Sequence, residues 1–115
     1  MMTTIYGIKN CDTVKKSLKW LDKNSIKFTF HDFRVDGLTP ELLSSFVERS
    51  GWDVLLNKRS TTFRNLPAEI KDNLTDDVMF KAVLEQPTLL KRPILIKNNV
   101  TCVGFKDDLY QENLL

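Results

Sequence analysis

Cys11 is the residue of this chain whose setting best suits chemistry. It stands in Lys9-Asn10-Cys11-Asp12-Thr13, between a strand-like run and a helical one. Free backbone N–H groups and the helix dipole favour an anion there, so a thiol is drawn toward the thiolate, its nucleophilic form. Lys9 and Lys15 add positive charge nearby, and Asp12 opposes them unless its carboxylate turns away to cap the helix. A free cysteine is also among the most buried residue types and is then inert. Position alone leaves both readings open. The second cysteine, Cys102, sits inside a short apolar run with no polar partner in view and reads as core. No CxxC or zinc-type spacing occurs, no metal is expected, and in a reducing compartment a structural disulfide between the two is not expected either.

Arg92-Pro93 is the second point of interest. A proline at the first position of a strand costs little, because that residue need not donate to the ladder. The guanidinium of Arg92 suits a planar oxyanion or a carboxylate. A surface arginine beside a trans-proline is the plainer alternative. Lys58, Arg59 and Arg64 lie on a basic stretch that either joins Arg92 in an anion pocket or is simply solvated. His31 lies on a strand-like run and has no Asp or Cys at triad-like spacing, which argues against a catalytic role.

The elements that position these residues follow from periodicity. Thr3 to Ile8 alternates and is rich in β-branched residues, which predicts a strand. Gly7 near its end allows close backbone approach. Val14, Leu18 and Leu21 form one helical face over Asp12 to Asn24, and Trp20 widens it. Ile26 to Phe33 alternates again, completing a βαβ unit whose two strands are expected to be parallel. Thr39-Pro40 then opens a helix that ends at Gly51. Trp52 to Leu56 predicts a short helix, Lys58 to Arg64 a loop, and Leu66-Pro67 to Leu74 a further helical piece. Thr75-Asp76-Asp77 caps another helix. Arg92 to Ile96 and Val100 to Phe105 flank an Asn-Asn turn and predict an antiparallel hairpin, followed by a helix over Lys106 to Leu115.

The expected fold is therefore α/β. It has a thioredoxin-like core, β-α-β then β-β-α on a mixed four-stranded sheet, with an inserted all-helical subdomain. Residues 1–115 make one domain, and residues 38–90 are the helical insert. In a thioredoxin-like sheet the place of Pro93 is taken by a cis-proline whose loop faces the cysteine, which gives Arg92 a direction.

The composition fits this reading. The 115 residues are 42% hydrophobic and 28% charged, and 17 Lys+Arg against 15 Asp+Glu leave a net charge of +2. That balance is too even to argue for bulk nucleic-acid binding. No apolar run approaches the ~20 residues that span a bilayer. The start, Met1 to Tyr6, lacks the basic and apolar regions of a signal peptide. A cytoplasmic monomer with no membrane or nucleic-acid partner is the expectation.

Tyr6-Gly7-Ile8-Lys9-Asn10-Cys11-Asp12-Thr13, Lys15-Lys16 and Trp20-Leu21 resemble the arsenate reductase-like (ArsC/Spx) family, and within it the YffB branch. Gly51-Trp52, Asn57 through Thr62-Phe63-Arg64, Gln86-Pro87, Lys91-Arg92-Pro93 and Val103-Gly104-Phe105-Lys106 extend the likeness along the chain. The resemblance implies a lone nucleophilic cysteine at Cys11 and an arginine, Arg92, before a cis-proline. It also implies reduction coupled to glutathione or glutaredoxin, with no bound cofactor and a small-molecule or thiol substrate. Lys9, Asn10, Arg59, Arg64 and Pro93 are then the candidate substrate-binding residues. Two departures weigh against arsenate itself. The family's oxyanion-binding arginine near Asn57 is replaced by Lys58-Arg59, shifted along the loop, and a third, late arginine has no match in Gly104-Phe105-Lys106. Spx-type regulators, which bind RNA polymerase, often carry a CxxC switch. Here its second position is Val14, so a released intermediate needs an external thiol. The leading expectation is a glutathione-dependent thiol reductase with Cys11 as nucleophile. The alternative is a non-enzymatic Spx-like module that binds RNA polymerase or another protein.

Overall fold

A computed structural model of the chain describes residues 3–115. Met1 and Met2, part of the start read above for a leader, lie outside the described residues. The described chain divides into two compact units, residues 3–37 with 92–115, and residues 38–91.

The first unit carries the sheet. β1 (Thr3–Gly7) leads into α1 (Asp12–Lys23) and β2 (Thr29–Asp32). After the second unit the chain returns with β3 (Ile94–Lys97), β4 (Val100–Val103) and α7 (Asp107–Leu114). The strand order is β2-β1-β3-β4, with β1 parallel to β2 and antiparallel to β3, and β3 antiparallel to β4. This is the mixed four-stranded sheet of a thioredoxin-like α/β fold. On one side its apolar residues pack with α1 and α7 into a core of Ile5, Trp20, Leu21, Leu95, Cys102, Tyr110 and Leu114. Two polar contacts tie α1 to α7 through that core. Ser17 Oγ and Tyr110 Oη share a hydrogen bond of 2.6 Å, and Trp20 Nε1–H donates to Asp107 at 3.2 Å.

β2 begins at Thr29, later than the alternation from Ile26 predicts. The end of α1 explains the delay. Ser25 takes a left-handed φ of 57°, and Ile26 N–H donates back to Leu21 at 2.9 Å, so these residues close the helix before the strand starts.

The second unit is helical. It holds α2 (Pro40–Ser50), α3 (Trp52–Leu55), α4 (Thr61–Arg64), α5 (Ala68–Lys71), α6 (Asp76–Glu85) and a 3-10 turn at Pro87–Leu89. Thr39 and Thr75 cap α2 and α6, each hydroxyl accepting the N–H three residues on. Gly51 supplies the φ of 78° that ends α2 and starts α3, a value favoured by glycine. The predicted loop over Lys58 to Arg64 is corrected here, since its second half is helical. Ser60 Oγ accepts the Phe63 N–H at 3.1 Å and so nucleates α4, a cap that the lack of hydrophobic period obscures. Leu43, Phe46, Leu55, Val83, Leu89 and Leu90 are buried within this unit.

Candidate functional site

β1 and β3 are antiparallel, with Tyr6 opposite Ile94. The C-terminal end of β1, which leads to Cys11, therefore lies at the same end of the sheet as Arg92-Pro93, which lead into β3. The sequence predicts these two segments separately, and the sheet register brings them together. Gly7 sits at the junction. A Cβ there would lie 2.9 Å from Val14 Cγ2, so glycine lets the first turn of α1 approach the strand end this closely, while Pro93 Cα, at 3.9 Å, would be in ordinary contact. The Arg92–Pro93 bond is cis, and the Pro93 carbonyl accepts the Gly104 N–H at 2.8 Å.

Cys11 is the N-cap residue of α1, with extended φ and ψ of −143° and 123°. Its carbonyl already accepts the Lys15 N–H at 2.9 Å, while its side chain makes no cap bond. The thiol is half-buried and free. Asp12 lies in the first turn of the helix. Lys9 and Asn10 are exposed on the loop before Cys11. Val14, at the fourth position from Cys11, is fully buried, so the side chain there belongs to the packing of α1. Cys102 is 1% exposed in the core, where burial pushes its thiol up from the ordinary value.

Arg92 contributes the most unusual polar atoms of the described residues. Its Nε and Nη1 are both buried, and neither has a hydrogen-bond partner. A buried donor left without an acceptor costs about 1–3 kcal/mol, more if charged. Nothing in the sequence signals this burial.

Arg59 and Arg64 belong to the helical unit. Arg59 lines an open pocket of about 450 Å³ with Asp53, Leu56, Asn57, Lys58 and Lys91. Three cations against one carboxylate make this pocket suited to an anion. Arg64, exposed at the end of α4, is not part of its lining. Lys91 stands outside the candidates that the sequence offers. It joins the pocket because its N–H donates to the Leu55 carbonyl at 2.7 Å, which lays the segment beside α3. His31 is held by contacts within its own unit. Its Nε2 is 2.7 Å from the Gly37 carbonyl oxygen, and its ring packs on Tyr6 and Phe33. Among the described residues no group of three or more His, Cys, Asp or Glu is placed to hold a metal ion, and no helix is long and apolar enough to cross a membrane.

Comparison with known proteins places this geometry in context. The chain is similar to an uncharacterized Haemophilus influenzae protein, 49% identical over 96% of each chain. A solved YffB protein matches with a TM-score of 0.93 and 39% identity, covering 98% of this chain and 99% of that one. The global transcriptional regulator Spx 1 of Bacillus cereus is 29% identical, over 93% of this chain and 82% of its own. The ArsC family model matches residues 6–113, and with nearly the whole described chain inside that match, this protein belongs to the ArsC family.

Proposed function

We propose that the chain is a glutathione-dependent thiol oxidoreductase with Cys11 as its nucleophile. The observation that carries this reading is the pairing, at one end of the sheet, of a free cysteine at the N-cap of α1 with an arginine whose buried Nε and Nη1 lack an acceptor. On an oxidised sulfur, the Cys11 thiolate attacks one sulfur of the S–S bond and expels the other as thiolate. A glutathione thiolate then attacks the substrate sulfur joined to Cys11, returning Cys11 as thiolate and forming a mixed disulfide with that half of the substrate, which is oxidised glutathione where that half is itself glutathionyl. One S–S bond breaks for each that forms, the expelled half is reduced at the expense of the glutathione sulfur, and solvent protonates the thiolate that leaves. Arg92 holds the anionic partner, such as a glutathione carboxylate, and Lys9, Asn10 and Pro93 shape the approach to Cys11. Arg59 and Arg64 supply anion affinity on the helical unit. External resolution fits a chain in which Val14 fills the fourth position and Cys102 is core. Glutaredoxin is the alternative source of the resolving thiol.

The test is reduction of a small mixed disulfide with glutathione as donor. Turnover is expected in the wild type and lost in Cys11→Ser, and Arg92→Ala should weaken glutathione binding by more than about threefold. Turnover that survives in Cys11→Ser overturns the reading.

Similarity to a transcriptional regulator supports a second reading, a regulatory module that docks on RNA polymerase or another protein. It predicts a stable protein partner in a pulldown and a function that Cys11→Ser retains.

A further inference from the structure

Asp32 closes β2 and is only 9% exposed. A buried carboxyl group needs hydrogen-bond donors, so the reason for its place lies in what it holds. Its two oxygens accept two backbone N–H groups, that of Arg34 at 2.9 Å on Oδ1 and that of Lys9 at 3.3 Å on Oδ2. The first fixes the turn after β2. The second reaches 23 residues back along the chain, to the loop that carries Cys11. Its position is set by the parallel ladder, where Gly7 stands opposite Asp32 and the Phe33 N–H donates to the Gly7 carbonyl at 2.8 Å. Beyond Gly7 the ladder has no further backbone partner for the chain leaving β1, and the carboxylate takes over that duty at Lys9. The turn itself is braced, because Asp36 accepts the Asp32 N–H at 3.0 Å and returns its own N–H to the Asp32 carbonyl at 2.7 Å.

We propose that Asp32 is a positioning residue for the nucleophile, holding the Lys9–Asn10 loop so that Cys11 enters α1 as its N-cap. This inference rests on the reading of Cys11 as nucleophile. An asparagine at position 32 keeps the shape and one acceptor oxygen but sets an NH₂ where the second acceptor stood. An alanine removes both.

The experiment measures alkylation of Cys11 by iodoacetamide at neutral pH in the wild type, Asp32→Asn and Asp32→Ala, with Cys102 in the same chain as an internal reporter of unfolding. Hydrogen exchange at the Lys9 amide is followed in parallel. Cys11 should react at least about threefold more slowly in both variants, with Lys9 exchange accelerated and Cys102 still protected. Cys11 rates within about twofold of wild type in folded variants overturn the proposal, as does a loss that appears only together with Cys102 labelling, which marks a purely structural role. A wild-type Cys11 that reacts no faster than the same thiol in the urea-unfolded chain overturns the nucleophile reading and the proposal with it.

Discussion

Gly7 and Val14 are packed so closely that a Cβ on residue 7 would stand 2.9 Å from Val14 Cγ2. Val14 is fully buried and β-branched on a helix, so it has little freedom to rotate away. Gly7→Ala should therefore push α1 off the strand end and cost about 1–3 kcal/mol. The same push moves Cys11, three residues before Val14. In the double variant Gly7→Ala/Val14→Ala the clash is gone, and the total loss should be smaller than the sum of the two single losses. Urea unfolding of the four proteins measures the coupling, and strict additivity would contradict the contact.

Arg92 separates stability from binding. Its buried Nε and Nη1 lack partners, so the fold gains little from keeping them there. Arg92→Met keeps much of the apolar length and removes the orphaned donors. The variant should be as stable as wild type, or more stable by about 1–2 kcal/mol, while glutathione affinity falls. Thermal melts and calorimetric titration read the two effects independently. A destabilised Arg92→Met would mean that the guanidinium already contributes to the fold.

Much of this arrangement is legible along the sequence, and the parts that are not share a cause. Alternation over Thr3 to Ile8, the α1 stripe and the Asn-Asn turn are local patterns, and local patterns place β1, α1 and the β3–β4 hairpin. Thr39 and Thr75 reveal their helices because a cap acts over three residues. Ser60 caps in the same way, but α4 has only four residues, too few to display a period. Asp32 lies in a run whose alternation describes a strand and nothing more. Its contact with Lys9 depends on the parallel register, which no local pattern encodes. The burial of Arg92 Nε and Nη1 is likewise a property of packing. Residue type and motif therefore nominate Cys11 and Arg92, while the residue that braces the Cys11 loop emerges only from the sheet.

Ser60 offers a test on the helical unit. Its hydroxyl donates to the Asn57 carbonyl at 2.8 Å and accepts from Phe63 N–H at 3.1 Å, joining the Lys58-Arg59 turn to α4. Ser60→Ala should cost about 1 kcal/mol. It should also loosen the turn, so that trypsin cuts after Lys58 or Arg59 several times faster at unchanged global structure. Equal cutting rates in the two proteins would show that the turn is held without the hydroxyl.

Tyr110 makes the alkaline limb of stability predictable. Burial pushes its phenol from 10.0 up to about 12, against a lowering by the Ser17 hydrogen bond. The folded protein therefore keeps the proton over a range in which the unfolded chain has already lost it. The contribution of this difference is complete below pH 10, declines as pH rises above it and is gone once pH passes about 12. Its full size corresponds to roughly 3 kcal/mol. Tyr110→Phe abolishes this titration but also removes the 2.6 Å bond to buried Ser17 Oγ. At pH 8 the variant should thus be less stable than wild type by about 1–2 kcal/mol. Between pH 10 and 12 wild type should lose stability faster, and the gap should close or reverse. Cys102, also raised by burial, adds an alkaline slope of its own, and its charge raises Tyr110 further, so both proteins are compared in a Cys102→Ala background. Urea midpoints at pH 8, 10 and 11.5 decide the matter, and curves that stay parallel across that range would show that Tyr110 ionises as readily in the fold as in the unfolded chain.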